Sequence, residues 1–357
     1  MSKLLIFVNK FDKNDDLLGF FVGWINELSR YLPRIIVVTQ SMGVFDPADN
    51  LSVFSIEKKQ NPNPVSRILK FWILLWRLRR DYDGVFVIMA PSWVIASSFL
   101  TKILEKKLYL WYAVWRGNWK LRLAEKLVDK IFCSVPGAFP FKTNKLVLIG
   151  QGIDTEKFKV QSLKFKVGGG AFKIVSVGRI SPVKRLEILI KAIAELSKFN
   201  PMLLRNIVLE IVGGAANKND DKYLIELREL SQKLGIAGKI KWLGQMPHTQ
   251  MPKYYQEADV VVNMTQAGSF DKAMLEAMAS GVLVLSSNRA WLKFFDDELQ
   301  EQLLFGQDDP HDLAKKLIEV LNLDEETKAR LRQKLRDMII NHHSQKQWTQ
   351  KLVASIK

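Results

Sequence analysis

The sequence predicts an α/β protein made of two doubly wound domains facing a cleft. Three observations predict it. The chain has 357 residues, which at one to two hundred residues per domain gives two domains. Short apolar runs alternate with amphipathic stretches throughout, the pattern of βα units on parallel sheets. That pattern breaks over 157–170, a basic stretch without periodicity that closes on Gly168-Gly169-Gly170, and then restarts.

In the first half, the apolar runs 3–9, 34–39, 84–89, 107–111 and 130–133 read as strands. The amphipathic stretches 19–31, 64–81, 92–104 and 121–128 read as the helices between them. After the break come strand 172–177, helix 184–198, strand 207–212, helix 222–234 and strand 239–243. Helix 249–257, strand 260–264, helix 272–279 and strand 282–286 follow. Trp348, Leu352, Val353 and Ile356 share one helical face, which suits packing back on the first domain. The expected division is a first domain over 1–158, a linker over 159–170, a second domain over 171–340 and a C-terminal helix over 341–357. Both domains are Rossmann-like, and ligands bind at the carboxyl ends of such strands.

Composition excludes several classes of protein. Hydrophobic residues at 48% and charged residues at 25% match a soluble globular chain and exclude disorder and collagen. A single cysteine, Cys133, excludes a disulfide framework and a cysteine-built zinc site. The four histidines all lie in the C-terminal half, and His342-His343 reads as a solvated helix edge, so no metal site is expected. The net charge is +16, and residues 1–160 carry 24 basic against 14 acidic side chains, or +10 of that total. A basic chain seeks anionic partners. No nucleic-acid-binding module is recognisable, so nucleic acid is not an expected one. The longest apolar run, 108–115, is far short of the ~20 residues of a membrane span. The apolar stretch 4–8 is too short for a signal peptide. The expected location is the cytoplasm, with peripheral contact at the inner membrane leaflet.

Two segments carry chemistry. In Gly178-Arg179-Ile180-Ser181-Pro182-Val183-Lys184 a strand ends, a short loop follows and a helix is expected near Lys184. Backbone amides at a helix N-terminus and two fixed cations can clamp a diphosphate. In the second segment, Gly268-Ser269-Phe270-Asp271-Lys272 leads into a helix whose second turn carries Glu276. A carboxylate there can accept from two neighbouring hydroxyls, such as those of a ribose.

These segments, in this order and about ninety residues apart, resemble the donor-binding half of retaining GT-B glycosyltransferases of family 4. Ile211-Val212-Gly213-Gly214, Trp242-Leu243-Gly244 and Tyr254-Tyr255-Gln256-Glu257-Ala258-Asp259 extend the resemblance over roughly 170–290. In the first half, Leu17-Leu18-Gly19-Phe20-Phe21 is similar to the glycine loop after the first strand, and Ile149-Gly150-Gln151-Gly152 to the segment before the interdomain crossing. The resemblance implies a transferase that moves a sugar from a nucleoside-diphosphate sugar to a glycan or lipid-linked acceptor, without cofactor or metal. It implies that Arg179 and Lys184 hold the pyrophosphate and stabilise it as leaving group. It also implies that Gly178, Ser269, Phe270, Asp271, Lys272 and Glu276 contact the donor, that Trp242, Gly244 and Met246 border the base, and that Gly19 and Phe20 form the acceptor or phosphate loop.

The family pattern is broken at Gly268, where a glutamate is usual, and at Val114, where a histidine is usual. Neither replacement can bond a sugar hydroxyl through its side chain. The alternative reading is therefore a catalytically impaired subunit that binds nucleotide sugar or a partner enzyme without turnover. An epimerase on the same fold would need more acid–base groups than a first half without histidine offers. Finally, Trp72, Trp76, Arg77, Arg79 and Arg80 lie in one basic aromatic stretch. Indoles and cations in that mixture suit an anionic membrane surface, a further candidate partner. A buried helix with a basic end is the structural alternative.

Overall fold

Strands form where Val, Ile, Leu and Phe are concentrated in runs of four to six, because such residues suit a pleated surface buried on both faces. The computed structural model describes residues 2–57, 63–159, 171–199, 201–266 and 270–356. The expected linker therefore lies, from residue 160 onward, outside the described residues. The chain divides into two compact units. Unit 1 comprises Met1–Asp154, Pro247–Thr249 and His342–Lys357, and unit 2 comprises Thr155–Met246 and Gln250–Asn341.

Unit 1 runs β1 (Leu4–Val8), α1 (Phe20–Ser29), β2 (Ile35–Thr39), β3 (Leu51–Ser55), α2 (Pro64–Arg77) and β4 (Gly84–Ile88). It continues with α3 (Pro91–Ile103), β5 (Lys107–Trp111), α4 (Trp119–Leu127), β6 (Lys130–Cys133) and β7 (Leu146–Leu148). Among the described residues, seven strands run parallel, in the order β3-β2-β1-β4-β5-β6-β7. β1, β2 and β4 are buried at every residue, which makes them legible as unbroken apolar runs. β3 and β7 form the two edges and were not expected. The helices α2, α3 and α4 cross the sheet in the same direction, so right-handed connections put them together on one face, opposite α1. Asparagine side chains start two of them: Asn63 accepts from the Val65 amide (2.9 Å) and Asn118 from the Leu121 amide (3.0 Å).

Unit 2 runs β8 (Phe172–Val177), α5 (Leu186–Phe199), α6 (Pro201–Arg205), β9 (Ile207–Val212), α7 (Lys218–Lys233), β10 (Ile240–Gly244) and α8 (Met251–Glu257). Then come β11 (Val260–Asn263), α9 (Lys272–Ala279), β12 (Leu283–Ser286), α10 (Asp297–Leu303), α11 (Pro310–Asn322) and α12 (Glu325–His342). Among the described residues, five strands run parallel, in the order β10-β9-β8-β11-β12. Both units are thus doubly wound α/β sheets, the fold class expected.

The last helix, α13 (Gln345–Ser355), belongs to unit 1. Its Trp348 is fully buried against Trp24 of α1, with ring centroids 4.4 Å apart. The Trp24 indole N–H donates to the Gly152 carbonyl at 2.6 Å. The turn into α13 corrects one expectation. His343 is not on a solvated edge: it is 2% exposed, and its carbonyl accepts from the Ile153 amide at 2.7 Å. Burial, together with the neighbouring His342 and Lys351 charges, pushes its imidazole pKa down to about 4. The approach is close enough that a Cβ on Gly150 would meet the His342 carbonyl at 2.5 Å, so the position needs glycine.

Candidate functional site

In unit 2 the strand order reverses between β8 and β11, and the loops that follow these two strands meet. A reversal point leaves a crevice at the carboxyl ends, because the flanking helices depart to opposite faces. Glycines shape the crevice floor. Gly178 ends β8 at φ 139° and donates to the Val212 carbonyl at 2.9 Å. Gly213 ends β9 at the same φ and donates to the Gly244 carbonyl at 2.8 Å. A Cβ on Gly213 would sit 2.0 Å from the Gly178 carbonyl, so only glycine lets the two strand ends touch.

The chain leaving Gly178 presents Arg179 and Lys184. A single 3₁₀ turn, Pro182–Lys184, follows, and Arg185 adopts a left-handed conformation at φ 52°. Only then does α5 begin, two residues later than expected. Its first amide, Leu186, donates to the Tyr223 hydroxyl at 2.9 Å. The Lys184 and Arg185 amides bond back to the Ser181 and Pro182 carbonyls. The expectation of a helix N-terminus at Lys184 is thereby corrected: the positive character here comes from side chains.

Both cations have carboxylate partners. Lys184 bonds Asp271, and Arg179 Nε lies 3.7 Å from the Asp220 carboxylate. Asp271 caps α9 by accepting from the Ala273 amide at 3.2 Å, and accepts from Asn263 Nδ2 at 2.8 Å and Thr265 Oγ at 3.4 Å. Burial favours its protonated form, but the Lys184 charge and these hydrogen bonds outweigh it and hold the carboxyl below its ordinary pKa. Gly178, Arg179 and Lys184 line a small pocket with Ser176, Asn263 and Met264.

The other predicted residues are placed as follows. Glu276, 4% exposed, sits on the second turn of α9 and accepts from the Tyr255 phenol at 3.3 Å. Burial, reinforced by the Glu276 and Asp271 charges, drives the Tyr255 pKa well above its ordinary value, so the phenol stays a donor. The Phe270 ring lies flat on Trp291 at 3.9 Å and is 4% exposed, so its side chain is core and only its backbone remains for a ligand. Asp271 likewise turns to Lys184 rather than outward. Lys272 opens α9 and is half-buried, and Ser269, like Gly268, lies outside the described residues. Trp242 and Gly244 are on edge strand β10, with Met246 two residues beyond it, and the Arg228 guanidinium lies 5.8 Å from the Trp242 ring. Gly19 and Phe20 start α1 in unit 1, where a Cβ on Gly19 would meet the Asp15 carbonyl at 2.5 Å. Sequence reasoning assigned no site role to Asn263, Asp220 or Tyr255, although Tyr255 lies in one of the stretches that carry the resemblance. Asn263 also left a signal, as the one polar residue in the apolar strand expected over 260–264.

In comparisons with known proteins, the family model described as "Glycosyl transferases group 1" matches residues 159–338. A D-inositol 3-phosphate glycosyltransferase of Corynebacterium glutamicum is 33% identical over 162 residues, 44% of this chain and 37% of the relative. A human GDP-Man:Man(3)GlcNAc(2)-PP-Dol alpha-1,2-mannosyltransferase is 26% identical over 168 residues, 46% of this chain and 34% of the relative. The aligned part thus spans between a third and two fifths of these relatives. Among solved structures, Anabaena HepE in complex with UDP and glucose superposes with a TM-score of 0.76 at 16% identity, covering 100% of this chain and 99% of that one. That likeness is one of fold.

Proposed function

The chain belongs to the glycosyl transferases group 1 family, whose model covers half of it, and on that premise we propose that it transfers a sugar, with retention, from a nucleoside-diphosphate sugar to a glycan or lipid-linked acceptor. The observation that carries this reading is the cation pair Arg179 and Lys184 beside the pocket at the end of β8, with buried Glu276 fixed by Tyr255 on the adjoining helix. In the step proposed, the bond between the anomeric carbon and the diphosphate oxygen breaks. The acceptor oxygen bonds to that carbon on the same face, and its proton passes to the departing phosphate oxygen. No side chain need act as base. Arg179 and Lys184 neutralise the charge that grows on the diphosphate, which makes positioning and electrostatics the source of rate. The Glu276 carboxylate accepts from the ribose hydroxyls, and the stretch through Trp242, Gly244 and Met246 borders the base. Each cation faces a carboxylate, Lys184 with Asp271 and Arg179 with Asp220, so donor binding exchanges those partners for phosphate oxygens, and the step proposed includes no metal.

The transfer relatives and the UDP-bound structural neighbour support this reading. It includes a peripheral position at an anionic cytoplasmic membrane surface, where a lipid-linked acceptor resides. The competing reading, binding without turnover, is favoured by one observation: the loop after β5 carries aliphatic, half-buried Val114. Thermal unfolding with a panel of nucleotides and nucleotide sugars tests donor binding, because a ligand of the native state raises its stability. A nucleoside diphosphate at one hundred times its Kd raises stability by about 2.7 kcal/mol. No shift with any member sinks the transfer reading and the nucleotide-sugar-binding form of its competitor. Product analysis of the native chain and of Val114→His then separates them, since turnover only in the variant selects binding without transfer.

A further inference from the structure

The helices α2, α3 and α4 each carry two apolar stripes where a surface helix carries one. On α2, Phe71 and Leu75 are buried against the sheet, while Val65, Leu69, Ile73 and Trp76 recur at helical spacing on the outside and are 50–65% exposed. On α3, Trp93, Val94 and Ser97 face inward, and Phe99 and Ile103 stand 61% and 54% exposed one turn apart. On α4, Leu121 and Ala124 are buried, and Trp119, Leu123 and Leu127 recur every four residues outside. The three helices lie side by side on one face of the sheet, with α3 packed against both α2 and α4, so their outer stripes are neighbours. Trp72 joins two of them: its indole N–H donates to the Ala96 carbonyl at 2.6 Å and its ring lies 6.2 Å from Phe99. It is therefore part of the fold, and Ile73 takes its place among the outward residues.

We propose that this three-helix layer is the surface through which the protein binds an anionic lipid bilayer. Scattered exposed apolar residues are ordinary, but a contiguous patch across three neighbouring helices marks a contact. Charge selects the partner. Residues 64–130 hold 13 lysines and arginines against 5 acidic residues, and α2 holds none of the acids. Cations also sit on the rim indoles: the Arg79 guanidinium is 4.8 Å from the Trp76 ring, and the Lys120 ammonium is 5.6 Å from the Trp119 ring. An indole body beneath a cation suits the level of lipid headgroups, with apolar residues below and phosphates beside it. A groove of about 530 Å³ opens beside Phe99, with Lys102 and Lys106 lining it along with Glu105 and Asp129. This proposal names the surface for the membrane partner in the reading above, and rests on that part of it alone.

The test is sedimentation of the full chain with vesicles of phosphatidylcholine, alone or with 30% phosphatidylglycerol, across a salt series. The wild type is expected to bind the anionic vesicles at least ten-fold more tightly, with affinity falling as salt rises. Ile73→Ser/Phe99→Ser/Leu123→Ser changes only exposed side chains. It should lose at least ten-fold in vesicle affinity while keeping its unfolding midpoint and its nucleotide binding. Arg77→Gln/Arg80→Gln/Lys102→Gln should flatten the salt dependence. Absence of binding to anionic vesicles overturns the proposal, as does equal binding by the apolar variant. So does self-association of the wild type in velocity sedimentation that the same variant abolishes, since the layer would then be covered by a second copy. Nucleotide binding without vesicles is read on every sample, so failure here leaves the donor reading standing on its own measurement.

Discussion

Replacing Lys184 by alanine should both weaken unit 2 and reverse how one of its carboxylates responds to acid. The Lys184 and Asp271 side chains are 21% and 11% exposed, so the pair is largely desolvated. Removing one member of a buried pair costs ~3–5 kcal/mol. Asp271 keeps donors in Asn263, Thr265 and the Ala273 amide, which places the loss near the lower end, ~3 kcal/mol. For a unit of this size that lowers the unfolding midpoint by roughly 6–12 °C. The pH dependence is the sharper test. In the native chain the folded Asp271 pKa is below its ordinary value, so the carboxylate stabilises the fold above ~pH 4 and that contribution is lost as pH falls through the lowered value. Without Lys184, burial acts with less opposition and raises the folded pKa. Protonation then relieves the variant as pH falls from neutral. The stability gap between native and Lys184→Ala should therefore shrink from pH 7.5 to pH 4.5. Denaturant unfolding of the native chain, Lys184→Ala, Asp271→Asn and the double variant measures the gap and the coupling. A cost below ~0.5 kcal/mol, the range of an ordinary surface substitution, or a gap that stays constant with pH would refute the reasoning. Nucleoside-diphosphate affinity should fall about ten- to one-hundred-fold in the same variant, the loss of one charge-assisted contact.

His343 and Gly213 give two further expectations. The folded His343 pKa is lowered from 6.5 to about 4, so its neutral form stabilises unit 1 fully above pH 6.5, and up to about 3 kcal/mol is lost as pH falls towards 4. His343→Gln should flatten that slope, and an identical acid profile in both chains would refute it. Gly213→Ala places a Cβ 2.0 Å from the Gly178 carbonyl at φ 139° and should cost ~3 kcal/mol or more, with loss of nucleotide binding. Gly235→Ala, at φ 72° with open space around it, should cost only ~1 kcal/mol from backbone conformation alone. Equal losses in the two variants would show that the contact between the strand ends is not what requires glycine.

The central strands were legible because parallel sheets bury both strand faces and leave unbroken apolar runs, as in Ile35–Thr39. The edges were not. β3, Leu-Ser-Val-Phe-Ser, is half-exposed at every residue, and β7 has only three residues. The start of α7 was placed four residues late, because its first turn is polar and only the Asn217 cap marks it. Within the site, each loop could be read by itself, whereas the meeting of loops could not. Lys184 and Asp271 are 87 residues apart, and the partner that turns the Phe270 ring into core is Trp291 on a 3₁₀ turn beyond β12. Periodicity reports which way a side chain points, and the distance between two loops is set by strand order. That order became visible only once β8 and β11 were neighbours.

The return of α13 to unit 1 also sets a timetable. Trp348 closes over Trp24 across 324 residues of chain, and Ser2 bonds the Ile356 carbonyl at 3.1 Å. Closing so long a loop costs stability only logarithmically, but it fixes the sequence of events during synthesis. Every residue of unit 2 leaves the ribosome before α13 does, so unit 2 can be complete while the Trp24 face of α1 is still wet. A chaperone that recognises exposed indoles would find its target in unit 1 until the last turn of α13 emerges. A nonsense mutation between His342 and Gln347 would yield a chain with an intact second unit and an open first one, prone to proteolysis at one end only.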